Sequence, residues 1–480
     1  MAGSDRGSYA SGFVDLDSEV TVDRLPVKGA FPAWLTGSLL RTGPAKFDVG
    51  RMTVNHWFDG LAMLHRFSFT GGGVSYANRF LHSDSYCEAV IKGALARGEF
   101  ATDPCRTLFQ RVAAVFSPQL TDNCNVNVDM LGGEPVALTE TTLPMRFDAE
   151  TLEALGHYGI SPQVGGAISI AHPHHDAHRA CRFSYVVDFG RRSRYRLFAI
   201  PDDGGEQRVV AEMEVDKPAY MHSFAMTERY LVLTEFPLVV DPLRLMLAAH
   251  PFIKNYRWTP DRGLRFHVFD KDGGGLIASA ESAPAFGFHH VNAYEDGDDV
   301  RIDLVAYADS SVIDQLYLAH LRAGDTVNAT GRLTRYTLRP DRSAQVQVAP
   351  LATAMIELPR IDYDRCAGRN YRYVWGTGRR PGAAFLDSIV RIDVTDGSTL
   401  TWWEEGCYPG EPVFVSAPGA DTEGTGVLLS VVLDARRGTS FLLVLDAQTL
   451  AGVARAECPH HIPFSFHDSY FPELSGTRGK

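Results

Sequence analysis

Apolar residues along this chain fall mostly in short runs of five to nine residues. SYVVDF, RYLVLTEF, RIDLVAYAD, SIVRIDV, GVLLSVVLD and SFLLVLD are rich in Val, Ile, Leu, Phe and Tyr and stop at Asp, Gly or Asn clusters. Runs of that length and composition, punctuated by turn residues, predict β-strands. Helical periodicity is scarce, with VIKGALARG (90–98) and PLRLMLAAH (242–250) as the main candidates. Some strand–turn units echo one another: RFDAETLEAL (146–155) with VLDAQTLAGV (444–453), and VFDKDGG (268–274) with RIDVTDGSTL (391–400). In each, an Asp closes a strand where its carboxylate can accept from the turn backbone, which is hairpin chemistry. Recurrent hairpins over a long all-β chain favour a propeller over a sandwich. No Pro/Ser-rich linker divides the chain, so residues 1–480 are expected to form a single domain.

Composition narrows the function classes. A formal net charge of −12 argues against nucleic acid, because phosphate binding needs a basic surface. It also argues against electrostatic docking on anionic lipid, leaving apolar side chains for any membrane contact. The seven cysteines are scattered and form no CxxC pair, as expected of free thiols in a reducing compartment. The opening MAGSDRGSYASGF has no secretory pattern, and no uncharged apolar run reaches the ~18 residues that span a bilayer. The expectation is a cytoplasmic protein.

Four histidine settings stand apart: His172, His174, His175 and His178 in ISIAHPHHDAH; His222 in MHSF; His289 and His290 in FHHVNAYED; and His467 in FSFHDSYF. Neutral imidazole suits Zn, Cu, Fe and Ni. The separations of His172, His222, His289 and His467 are 50, 67 and 178 residues, so they are no local motif. They could meet only where distant strands point at a common axis, and spacing alone does not select them. FHHVNAYED reads as a strand, whose alternation lets just one of its two histidines face such an axis without saying which.

These segments match a family. LTGSLLRTGPAKF (35–47), HWFDGLAMLHRF (56–67), TDNCNVNV (121–128), LTETT (138–142), AHPHHD (171–176), HSFAMTE (222–228), FHHVNAYED (288–296), IELPRID (356–362), GEPVFV (410–415) and SFHDSYF (465–471) occur in order nearly end to end. The chain thereby resembles the carotenoid cleavage oxygenases, in the branch of the animal β-carotene oxygenases and the retinal-pigment-epithelium retinoid isomerohydrolase. The resemblance implies a seven-bladed β-propeller with Fe(II) on its axis, under a cap of loops and short helices that forms an apolar substrate tunnel. It places the iron ligands at His172, His222, His289 and His467, and the carboxylates behind them at Glu140, Glu357 and Glu411. It also sets Val126 beside an open iron position and chooses His289 over His290. Asp468 departs from the glycine usual after the last histidine; a local backbone difference is expected there, without consequence for ligation. His174 is expected on the strand face of His172, with His175 and His178 in the following turn.

Such a shell makes chemical sense. Four neutral ligands leave iron its full charge and positions free for O2, while the carboxylates fix each imidazole's tautomer. The set differs from the two-histidine, one-carboxylate triad, and no HExxH marks a zinc hydrolase. The implied reaction is oxidative cleavage of a C=C bond of a carotenoid or apocarotenoid to two carbonyl products, without a protein nucleophile. Retinoid isomerohydrolysis and stilbenoid cleavage are the alternatives, and a non-catalytic binding propeller is disfavoured by the intact His/Glu set. Apolar residues in 105–116 and 237–258 suggest monotopic docking on a membrane, where a polyene substrate resides.

Overall fold

The computed structural model describes residues 8–104, 120–246, 250–340 and 346–474. Seven antiparallel sheets, each of four or more strands, follow one another along the chain as the blades of a β-propeller. In the third blade, for example, Ile168–Ser169 and His174–Asp176 pair with Cys181–Asp188, followed outward by Ser193–Pro201 and Arg208–Val215. The strand runs read from the sequence are the second and third strands of these blades. Leu231, Val232, Leu304, Val390, Leu428 and Leu443 on them are buried between adjacent sheets.

The echoed turns are the same physical object. Asp148 accepts from the N–H groups of Glu150 and Thr151, and Asp446 from that of Thr449. Both turns end on a leucine in the left-handed region, Leu152 at φ 60° and Leu450 at φ 56°. The N–H of each returns to the Asp carbonyl, at 2.8 and 2.9 Å, which holds the unusual backbone in place.

The ring closes at both ends of the chain. Asp468–Phe471 becomes the innermost strand of the first blade, pairing with Gly37–Lys46 in the register Ser38↔Phe471 to Arg41↔Asp468. Val27–Gly29 adds to the outer edge of the seventh blade against Gly452–Glu457.

Insertions between strands form the cap: among the described residues, 81–104 and 120–126 between the first two blades, 236–246 and 250–263 in the fourth, and 307–331 in the fifth. The first expected helix is displaced. It spans Asp84–Lys92, capped by Ser83 and ended by Gly93 at φ 62°, so that VIKGALARG holds only its last turn. The second is the short helix Pro242–Met246; 247–249 lie outside the described residues, as does the whole of 105–116. Among the described residues of 237–258, Leu238, Val239, Val240, Ile253 and Tyr256 are buried, whereas Leu243 is 64% exposed. Among the described residues, no helix is long and apolar enough to cross a membrane.

Candidate metal centre

Because blades share one topology, their innermost strands all begin at the same end of the axis, and the predicted residues sit at those beginnings. His172 lies between Ile168–Ser169 and His174–Asp176, and His222 precedes Ala225–Met226. His289 and His467 directly precede His290–Asp296 and Asp468–Phe471. Glu357 opens Glu357–Arg360, and Glu411 precedes Val413–Ser416. Glu140 follows the second strand of its blade, Glu134–Leu138, which runs the opposite way and so ends at this same face.

One ligand atom from each of the four histidines falls within 4.8 Å of those of the others. The Nε2 atoms of His172 and His222 are 2.9 Å apart, and those of His289 and His467 3.2 Å. Behind three of the rings stand the three expected carboxylates: His222 Nδ1 to Glu140 Oε1 at 2.6 Å, His289 Nδ1 to Glu357 Oε2 at 2.6 Å, and His467 Nδ1 to Glu411 Oε1 at 2.8 Å. Each carboxylate accepts a hydrogen bond from Nδ1–H, so the lone pair of each neutral ring is left on Nε2, aimed inward. Converging lone pairs repel unless a cation lies among them, so this donor set fits a metal ion that prefers imidazole. Burial, and then the neighbouring histidines, push His172 well below the ordinary histidine pKa; burial also takes His467 down to about 4. Both therefore stay neutral and free to donate.

The carboxylates are held in turn by groups that were not singled out in the sequence. Tyr220 donates to Glu140 at 3.0 Å, and Tyr307 donates to Glu357, which also accepts from the N–H of Leu358. Glu411 accepts from Arg360 Nη2 at 2.7 Å and from the N–H of Asp468 at 2.9 Å. Burial opposes ionisation of Glu411, yet Arg360 and His467 outweigh it and hold the carboxyl at about 2. Burial is likewise outweighed at Glu357, chiefly by His289, and its carboxyl lies below the usual range. Tyr220 and Arg360 were within reach of the sequence: each lies two or three positions from a motif residue, in YMH and ELPR. Nothing local marks Tyr307.

The environment of His289 departs from the strand reading. The strand begins only at His290, and its register slips between His290 and Asn292. Phe288, which strand alternation would put on the face of His290, instead borders the cavity with His289, its ring 5.6 Å from that of His222. Gly287 makes this approach possible, since a Cβ there would lie 2.8 Å from the carbonyl oxygen of Val305. His290 turns away and is clasped between Ser223 Oγ at 2.7 Å and Thr234 Oγ1 at 2.8 Å. His175 is also in a strand, paired with Arg182, and not in the turn that takes His178. His174 is half-buried and held between the Tyr363 hydroxyl and the Phe224 carbonyl, each at 2.9 Å. Asp468 needs no left-handed backbone; its N–H serves Glu411 while its carboxylate meets Arg41 at 3.2 Å.

Over the histidines lies an apolar cavity whose lining includes residues of the cap. Trp57, Phe58, Phe100, Phe252, Phe288 and Phe466 supply aromatic walls, and His222, His289, His467, Glu140 and Glu357 reach its floor. Val126 borders it beside His467, whose N–H points to the Val126 carbonyl at 3.3 Å.

A propeller carrying four axial histidines beneath an apolar cavity defines a class: a candidate mononuclear metalloprotein for a greasy ligand. The chain belongs to the retinal pigment epithelial membrane protein family, whose model matches residues 13–472. It is 34% identical to the mitochondrial carotenoid-cleaving dioxygenase of Macaca fascicularis, over 93% of this chain and 91% of the relative. It is 31% identical to the beta,beta-carotene 15,15'-dioxygenase of Homo sapiens, over 94% of this chain and 92% of the relative. Its fold matches a solved structure of the cobalt-substituted Synechocystis apocarotenoid oxygenase with a TM-score of 0.84 at 25% identity, covering 96% of this chain and 98% of that one.

Proposed function

We propose that this protein is a carotenoid cleavage dioxygenase that splits one C=C bond of a carotenoid or apocarotenoid with O2, each alkene carbon leaving as a carbonyl. The observation that carries the reading is the convergence of His172, His222, His289 and His467 under the apolar cavity, with Glu140, Glu357 and Glu411 fixing three of them. Fe(II) held by those four histidines would supply activation of O2 for the cleavage. The chain's own residues do the rest. Glu140, Glu357 and Glu411 keep the imidazoles neutral, oriented and balanced in charge. Phe58, Phe288 and Phe466 exclude water and stack along a rigid polyene, and Val126 narrows the space beside His467. Which double bond reacts is then set by how far the polyene slides before its end meets the cavity wall. The names of the relatives support the same class of reaction.

The test is anaerobic purification with Fe(II), then admission of O2 with a carotenoid, an apocarotenal, a retinyl ester and a hydroxystilbene. Carbonyl products from the first two, with about one iron per chain lost in His222→Ala, are expected. Folded protein that takes up no metal, or turnover of the ester or stilbene alone, would overturn the reading.

A further inference from the structure

Arg379 also reaches the cavity, and it has little to hold it there. Its guanidinium meets the Ala383 carbonyl at 3.4 Å and Thr330 Oγ1 at 3.5 Å, both at the outer limit of a hydrogen bond. Among the described residues, no carboxylate stands within ion-pair distance of it. The next residue shows what a satisfied arginine looks like in the same loop. Arg380 Nε bonds Asp387 Oδ2 at 2.9 Å, its N–H bonds Asp387 Oδ1 at 2.9 Å, and its guanidinium lies 3.8 Å over Trp403. That pair, with the Val327 N–H bonded to the Ala384 carbonyl at 2.9 Å, pins the loop to two blades. Arg379 is therefore presented on a fixed support.

Around it, the fifth and sixth blades line the cavity with Val327, Ala329, Met355, Leu358, Phe385 and Leu386. A guanidinium facing such a wall gains from any acceptor brought to it and loses its hydration to any hydrocarbon. The histidines and this wall line one and the same cavity, so a polyene laid across the histidines has Arg379 within the space that receives its ends.

We infer that Arg379 is the specificity-determining residue for the end of the substrate: it selects a polyene terminating in a hydrogen-bond acceptor, a carboxylate or an aldehyde, over one ending in a hydrocarbon ring. This rests on the cleavage reading for the polyene, and on Arg379 alone for the end group. Arginine's fork suits a carboxylate bidentately and a carbonyl oxygen singly, so the order is acid, then aldehyde, then hydrocarbon.

The experiment is binding of an apocarotenoic acid, the apocarotenal of the same chain length, and β-carotene to the Fe(II)-loaded full chain without O2, read by tryptophan quenching. The wild type binds the acid at least about ten-fold more tightly than β-carotene, as expected when a site is built around a polar group. Arg379→Leu brings the two affinities within about two-fold of each other, whereas Arg379→Lys keeps part of the acid's advantage. Arg379→Gln, close in length and uncharged, replaces the leucine variant should that fail to fold. No preference in the wild type, or a preference that survives loss of the charge, overturns the inference. Admitting O2 to the same samples separates the two claims: discrimination without carbonyl products leaves Arg379 standing and removes the cleavage reading.

Discussion

At the scale of single residues, the sharpest contrast is between neighbours with opposite duties. His289 presents Nε2 to the axis, while His290 bridges Ser223 and Thr234 on the next blade. His289→Ala is expected to abolish iron binding. His290→Ala should retain iron, assayed by metal analysis, but leave the buried Thr234 hydroxyl without its ring partner at a cost of about 1–3 kcal/mol, while Ser223 keeps the Phe288 carbonyl. Equal iron loss in both would reverse the assignment of the pair. Strand alternation said only that one of the two faced inward; the family pattern chose His289, and Gly287 explains why alternation gave no guide to Phe288. A second residue-scale test concerns Asp59, buried in HWFDG and accepting from Thr102, Ala101 and His56. Burial raises its carboxyl to about 6 from 3.8. The folded state therefore prefers the proton: this contribution is whole below the unfolded value of 3.8 and is lost as pH rises through about 6. A shift of that size amounts to about 3 kcal/mol. Asp59→Asn should melt below the wild type at pH near 4, where hydrogen bonds are lost, and the gap should close toward pH 8. Parallel melting curves across that range would rule this out.

Elements were legible where the signal was local. The Asp-closed hairpins announced themselves because one carboxylate and its turn lie within a few residues of each other, and Asp148 and Asp446 make the expected bonds. The helix near residue 90 was misplaced because its start is set by the Ser83 cap and Asp122, whose carboxylate bonds the N–H groups of Asp84 and Ser85 across 38 and 37 residues of chain. The apolar content of 237–258 carried no direction: the same leucines and valines could face lipid or core, and packing sends most of them to the core. Among the described residues of the segment Leu243 stands out as exposed, and it is the residue on which docking at a lipid surface can be tested. If the fourth-blade insertion touches a membrane, Leu243→Glu should reduce co-flotation with neutral vesicles several-fold while leaving iron content unchanged. Unaltered flotation would remove this segment as the contact.

For the molecule as a whole, the sequence carried the architecture through its family likeness far more than through periodicity. Hairpin echoes are irregular in spacing, and nothing in them fixes seven blades or the joining of the two chain ends in the first and seventh sheets. That joining predicts unequal effects of truncation. Removing residues 468–480 deletes the strand that anchors His467 and opens the first blade, so iron binding and cooperative melting should both fail. Removing residues 1–30 deletes the outer-edge strands Thr21–Val22 and Val27–Gly29 together with the Tyr9–Phe13 helical turn, and should lower the melting temperature while leaving part of the iron in place. The same closure has a consequence for biosynthesis. His172, His222 and His289 are already on the nascent chain when His467 is still 178 residues away, and this fourth proposed donor arrives with the strand that seals the ring. Complete four-donor binding and ring closure are therefore one late event, and a ribosome-bound intermediate would expose an unpaired sheet edge and a three-histidine site together.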